Sequence, residues 1–183
     1  TASILSGAVI ERIRMASFVV LAVILGSVVW NLAASWGWHP AGWLVTNYGY
    51  HDAVASGVVH TISGFFALGV LINLGPRIGK FNADGSANQI RGHSLPMTIT
   101  GLMLIVVGFF GFIGACVLYN YGVGGGWTNI YGGPTTLSAY LFNTLMAVAG
   151  GIIGCYACTR DPFWMMSGAL CGVISAAAGL DLW

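Results

Sequence analysis

Long apolar runs, each bounded by a short polar or glycine-rich connection, set the pattern of this chain. Five of them, 17–36, 53–74, 95–118, 137–158 and 163–182, hold about the 20 residues that a helix needs to cross the hydrocarbon core of a bilayer. A sixth apolar stretch, 1–10, has the length of a partial span. The pattern predicts an all-α, polytopic transmembrane helix bundle forming a single membrane domain over 1–183. Its connections include the polar stretch 79–92 and the glycine-rich stretch 121–134.

Composition agrees. Hydrophobic residues make up 57% of the chain and charged residues 6%, against roughly 25% charged in a soluble domain. A water-facing surface of normal polarity cannot be built from such material, so the solvent must be the bilayer. The 28 glycines suit close helix packing in lipid. A net charge of +1 excludes the basic footprint of a nucleic-acid binder. Cys116, Cys155, Cys158 and Cys171 lie in or beside apolar segments; the Cys155-x-x-Cys158 spacing lacks a second pair or a histidine cluster and reads as packing. The chain opens at Thr1 without a leader pattern and stops abruptly at Trp183, as the interior of a longer protein would.

With alternating crossings, Arg12, Arg14, Arg77, Lys80, Arg91 and Arg160, all the basic residues of the chain, fall on one side of the membrane. Lys and Arg accumulate in cytoplasmic loops, so that side is expected to face the cytoplasm. The opposite connections, 37–51 and 119–136, carry no basic residue and are rich in Trp, Tyr and Gly.

An ionisable residue inside a membrane segment is a functional candidate, because its charged form is costly there. His60 is the firm case: eight residues into a helix beginning at Asp52, it would lie about 12 Å along the axis. Two readings stay open, a neutral structural imidazole and a pore-lining one. Asp52, before the run 53–74 and after Gly49, can cap that helix or serve as a cation ligand at an outer mouth. Trp36, Trp38, Trp43, Tyr48, Tyr50, Phe109, Phe110 and Phe112 crowd the outer half. They read either as an interfacial belt or as a cation-π cradle.

The run Gly49-Tyr-His-Asp52 through Ser56-Gly-Val-Val-His60, followed by Leu74-Gly-Pro-Arg-Ile-Gly-Lys80-Phe, resembles the signature of the Amt/Mep/Rh family of ammonium transporters. Gly7-Ala-Val-Ile-Glu11-Arg-Ile, Gly92-His-Ser-Leu-Pro96, Gly108-Phe-Phe-Gly-Phe112 and Asn143-Thr144 agree in order. The resemblance implies part of an eleven-helix, inverted-repeat fold, from the end of helix three to helix eight. It implies that Asp52 stabilises an outer recruitment site, that Trp38 contacts the cation, and that His60 and Phe112 line the pore as the first of two histidines and one of two gating phenylalanines. Phe109 stands where the family usually has Trp, Ile113 where it has Asn, and Cys116 where a vestibule Ser is usual, replacing a hydroxyl acceptor by a weakly polar thiol. Phe109 and Cys116 thus belong to the same recruitment site. The second pore histidine would come from a later helix and the other gate phenylalanine from just before Thr1.

The function so implied is passage of ammonium or ammonia: the ion is recruited at the aromatic mouth, loses its proton where desolvation becomes too costly, and crosses as the neutral molecule. The implied setting is a homotrimer in the plasma membrane, with a cytoplasmic regulatory protein as a further partner. No enzyme activity, cofactor, metal or nucleic acid is expected. The alternative is an ammonium-sensing or structural Amt-like subunit with little flux. A haem-binding subunit is disfavoured, because only His60 of the four histidines lies in the membrane interior.

Overall fold

The computed structural model of the chain describes residues 1–90, 92–120 and 125–182. Arg91, one of the orienting basic residues, and Tyr121, at the head of the glycine-rich connection, lie outside the described residues. The protein is mostly helical. Five helices are long and apolar enough to cross a membrane: Met15–Gly37, Ser56–Leu74, Leu95–Ala115, Leu137–Thr159 and Pro162–Gly179. The chain divides into two compact units, Thr1–Ser35 with Gly57–His93, and Trp36–Ser56 with Ser94–Trp183.

The first unit packs α1 (Ala2–Val9) and α2 (Met15–Ile24) with α5 (Ile62–Leu74) around buried Leu5, Val9, Leu25 and Ala67. After α2 the chain passes through a π-helical turn, Leu25–Val29, into α3 (Trp30–Gly37). Two polar residues of this long helix are satisfied inside it: the Ser27 hydroxyl donates to the Val23 carbonyl and the Asn31 amide to the Ser27 carbonyl, at 2.5 and 2.6 Å. In lipid no water is present to take those bonds. At one end of the unit Arg12 Nη1 donates to the Gly75 carbonyl at 3.0 Å, and Arg77 lies 3.6 Å from Glu11.

The second unit holds α4 (Trp43–Tyr48), α6 (Leu95–Ala115), α7 (Leu137–Thr159) and α8 (Pro162–Ala176), which ends in a 3₁₀ turn, Ala177–Gly179. Between α6 and α7 a two-stranded antiparallel ribbon pairs β1 (Leu118–Asn120) with β2 (Gly126–Thr128), Leu118 opposite Thr128. The helix starts are capped as their sequences allow. Ser94 accepts from Met97, Thr136 from Ala139, and Asp161 from Phe163 at 2.7 Å, with Pro162 in the first helical position where no N–H is needed.

Helices α7 and α8 approach so closely that glycine is required at the crossing. A methyl group on Gly172 would be driven into the Ala147 carbonyl oxygen, and one on Gly151 into that of Gly168. Such small-residue contacts let backbones meet where lipid supplies no hydrophobic drive for helix association. The core of this unit is built from Ile113, Cys116, Tyr140, Val173 and Leu180. Large apolar side chains such as Leu104 and Ile153 stand exposed, as they do when the solvent is hydrocarbon.

Candidate functional site

The segment from Asp52 to Ala55, expected to be the first turn of a helix, is irregular and buried throughout. Ala55 adopts φ +67°, a conformation an L-residue with a Cβ seldom takes. Tertiary bonds account for this. Ala53 and Val54 donate their N–H groups to the carbonyls of Ala178 and Ala177 at 3.0 and 3.1 Å, and the Ser56 hydroxyl donates to the Ile174 carbonyl at 2.7 Å. These partners lie more than a hundred residues away in sequence and draw the segment off a helical path. The helix therefore begins at Ser56, as a π-helix running Ser56–Thr61, before continuing as α5. His60 is the fifth residue of that run, so it does not lie eight residues along a helix that begins at Asp52. Non-helical backbone at membrane depth is tolerated where protein buries it, and π-helical turns are frequent at functional sites.

Asp52 is fully buried at the head of this segment. Its Oδ1 accepts the Ser56 N–H at 2.6 Å and its Oδ2 accepts the Tyr50 hydroxyl at 3.2 Å. The carboxylate thus makes the N-terminal capping bond, over a wider loop than a regular cap. Its backbone is held equally: the Trp38 indole N–H donates to its carbonyl at 2.7 Å, and its N–H donates to the Tyr131 hydroxyl at 3.2 Å. The Tyr131 hydroxyl in turn donates to the Gly37 carbonyl at 2.8 Å. Trp38 therefore has only its ring face to offer a ligand.

Beside this cluster lies a second buried carboxylate, Asp181. His51 Nε2 sits 2.9 and 3.0 Å from its two oxygens, the Asn129 amide donates to Oδ2, and the His51 ring lies 5.1 Å from that of Tyr131. Tyr131 thus connects the two acids. Burial pushes its hydroxyl up to about 12, the charges of Asp52 and Asp181 adding to the effect and the hydrogen bond from Asp52 opposing it. Burial also raises Tyr50, reinforced by the charge of Asp52 and the bond to it. Both phenols stay protonated at neutral pH and act as neutral donors around the carboxylates.

Tyr50 was read from sequence only as one ring of the aromatic belt or cradle, and His51, Asn129, Tyr131 and Asp181 were not singled out as site residues. Asp181 carried a signal: it is an acid within the apolar run 163–182, and such residues are functional candidates. His51 stands inside the Gly49 to Asp52 run that carries the resemblance, but nothing in the sequence pointed to its pairing with Asp181, 130 positions away.

Phe109 and Phe112 meet edge to face, centroids 6.4 Å apart. Phe109 packs on the core of its unit, whereas Phe112 is 41% exposed. Cys116 is buried in the same core beside Tyr140, whose fully buried hydroxyl has no hydrogen-bond partner among the described residues. His60 is partly buried within its π-helical turn. Asp52, Trp38, Phe109, Phe112 and Cys116 all belong to the second unit and His60 to the first. Among the described residues no group of three or more His, Cys, Asp or Glu side chains is arranged to hold a metal ion.

Residues 1–182 match the family described as Ammonium Transporter Family. The chain is 31% identical over 181 residues to Ammonium transporter Amt1 of Methanocaldococcus jannaschii, an alignment covering 98% of this chain and 43% of the relative. It is 33% identical over 182 residues to Ammonium transporter Amt2 of the same organism, covering 99% and 39%. Among solved structures it is similar to one described as Sensor Amt Protein, with a TM-score of 0.81 and 27% identity over 98% of this chain and 44% of that one. The chain spans less than half the length of these relatives.

Proposed function

The chain belongs to the ammonium transporter family, and from that premise we propose that it forms part of a passage by which ammonium or ammonia crosses a membrane. Recruitment is assigned to the aromatic and acidic cluster of Trp38, Asp52, Phe109 and Cys116, and conduction to His60 and Phe112. The observation that carries the proposal is Asp52, a carboxylate at 0% exposure collared by Trp38, Tyr50 and Tyr131. A buried negative charge attracts a small cation, and aromatic rings supply cation-π contact as water is stripped. The Tyr140 hydroxyl, buried in the same core as Cys116, has no hydrogen-bond partner among the described residues. An ammonium ion is too costly to carry bare through apolar surroundings, so it gives up its proton to water at the mouth and the neutral molecule passes His60, whose neutral imidazole offers hydrogen bonds without a fixed charge. The connections bearing Arg12, Arg14, Arg77, Lys80 and Arg160 face the cytoplasm under this proposal, and the assembly is a homotrimer in the plasma membrane, open to a cytoplasmic regulatory partner.

A sensing role is the second reading, favoured by the likeness to a structure described as a sensor. Reconstituting the protein at its native length in proteoliposomes and following labelled methylammonium separates the two. Saturable accumulation inside the vesicles supports transport. Binding that saturates without accumulation refutes it in favour of sensing.

A further inference from the structure

We propose that Asp181 is a positioning residue for the carboxylate of Asp52, acting along two hydrogen-bonded arms that meet at it; the inference rests on the recruitment role assigned to Asp52 above. The Asp181 side chain is 1% exposed and stands just past the 3₁₀ turn, Ala177–Gly179. The backbone around it is tied down without help from the carboxylate: the Asn143 amide donates to the Leu180 carbonyl at 2.9 Å, and the Leu182 N–H to the Gly179 carbonyl at 3.1 Å. The two carboxylate oxygens are spent on other residues.

The first arm is short. His51 Nε2 lies 2.9 and 3.0 Å from the two Asp181 oxygens, and because a carboxylate only accepts, that nitrogen carries the proton. His51 directly precedes Asp52, so this bond holds one side of the peptide that leads into the recruitment acid. The second arm runs through the connection between β2 and α7. The Asn129 amide donates to Asp181 Oδ2, and the Asn129 side-chain oxygen accepts the N–H groups of Tyr131 and Gly133 at 3.0 and 2.8 Å. That turn presents the Tyr131 hydroxyl, which accepts the Asp52 N–H at 3.2 Å. The path from Asp181 through His51 to Asp52, and back through Tyr131 and Asn129, is a closed circuit.

Both arms grip the peptide between His51 and Asp52, and the orientation of that peptide sets where the Asp52 side chain points. An asparagine at position 181 can serve only one arm. With its oxygen toward His51, its amide faces the Asn129 amide, donor against donor, and Asn129 cannot turn over without abandoning two backbone N–H groups. The segment itself stays anchored, because the bonds of Ala53 and Val54 to the Ala178 and Ala177 carbonyls involve no side chain. What changes is the aim of Asp52. Moving its charge from about 6 to about 8 Å from a bound cation costs about threefold in affinity at an effective dielectric of about 20.

The test measures equilibrium binding of labelled methylammonium to the protein at its native length in detergent, with thermal unfolding to confirm the fold. Asp181→Asn is expected to weaken binding about threefold. Combining it with Asn129→Asp exchanges donor and acceptor across the same contact and is expected to restore the parental affinity. His51→Ala cuts the first arm at a partly exposed side chain, is expected to weaken binding similarly, and gives a reading if Asp181→Asn does not fold. The decisive readout is Asp181→Asn in the Asp52→Asn background. A residue that acts through Asp52 has nothing left to act on there, so no further loss is expected; a charge felt directly by the cation, or a general loosening of the fold, would weaken binding by about the same threefold again. Parental affinity in folded Asp181→Asn or His51→Ala, no recovery on exchange with Asn129, or an additive loss in the Asp52→Asn background would each overturn the proposal. Parental affinity in Asp52→Asn alone is a different result: it removes the recruitment role itself, and this inference with it.

Discussion

Replacing Asp52 by Asn separates its charge from its shape. The asparagine carbonyl can keep the 2.6 Å bond from the Ser56 N–H, and its amide can donate to a Tyr50 hydroxyl that rotates to accept. What the fold loses is the charge-assisted part of two hydrogen bonds, about 1 kcal/mol each. What recruitment loses is larger. For a cation about 6 Å from the carboxylate at an effective dielectric of about 20, the attraction is about 3 kcal/mol, which corresponds to a rise in KM of about 100-fold. Methylammonium uptake into proteoliposomes gives KM and maximal rate, and thermal unfolding in detergent reports the fold. A folded Asp52→Asn protein with a strongly raised KM is the expected result. A folded variant with wild-type KM would refute the recruitment role and leave Asp52 as a cap alone.

Three further predictions concern stability. Gly172→Ala should lower the unfolding midpoint, because the new methyl group meets the Ala147 carbonyl oxygen and α8 must shift at a cost of about 1–3 kcal/mol; Gly150→Ala, where an added Cβ meets nothing within 4 Å, is the control and should be silent. Asp161→Ala removes the cap that accepts from Phe163 at 2.7 Å and should cost about 1 kcal/mol in the same assay. Tyr131 binds its proton more tightly folded than unfolded, so its contribution to stability is complete below its ordinary value near 10 and is lost as pH rises toward about 12. Unfolding midpoints measured from pH 8 to pH 12 should show Tyr131→Phe losing stability less steeply than the parent above about pH 10. Parallel curves would contradict that assignment.

The membrane class was legible because apolar runs of about 20 residues with so few charges admit no other solvent. The family was legible in the spacing of Asp52, His60 and the Leu74 to Lys80 motif. The conformation of Asp52 to Ala55 was not, because local sequence favours helix there and the carbonyls of Ala177 and Ala178 prevail over it. The pairing of His51 with Asp181 was hidden for the same reason: the contact joins residues 130 positions apart, and no local pattern marks it. The ribbon of Leu118–Asn120 and Gly126–Thr128 escaped notice because two three-residue strands leave no alternation to read. Trp38 shows a subtler gap. Resemblance marked it for cation contact, while the structure reveals that its N–H is committed to the Asp52 carbonyl.

The central claim is that His60 borders the path of the conducted molecule. Its most direct test is the rate of methylammonium uptake by His60→Ala protein in proteoliposomes, normalised to folded protein. Removing an imidazole that hydrogen-bonds the passing molecule is expected to lower the rate about tenfold, the effect of a bond worth about 1.4 kcal/mol. A folded His60→Ala protein with the rate and KM of the parent would contradict the account.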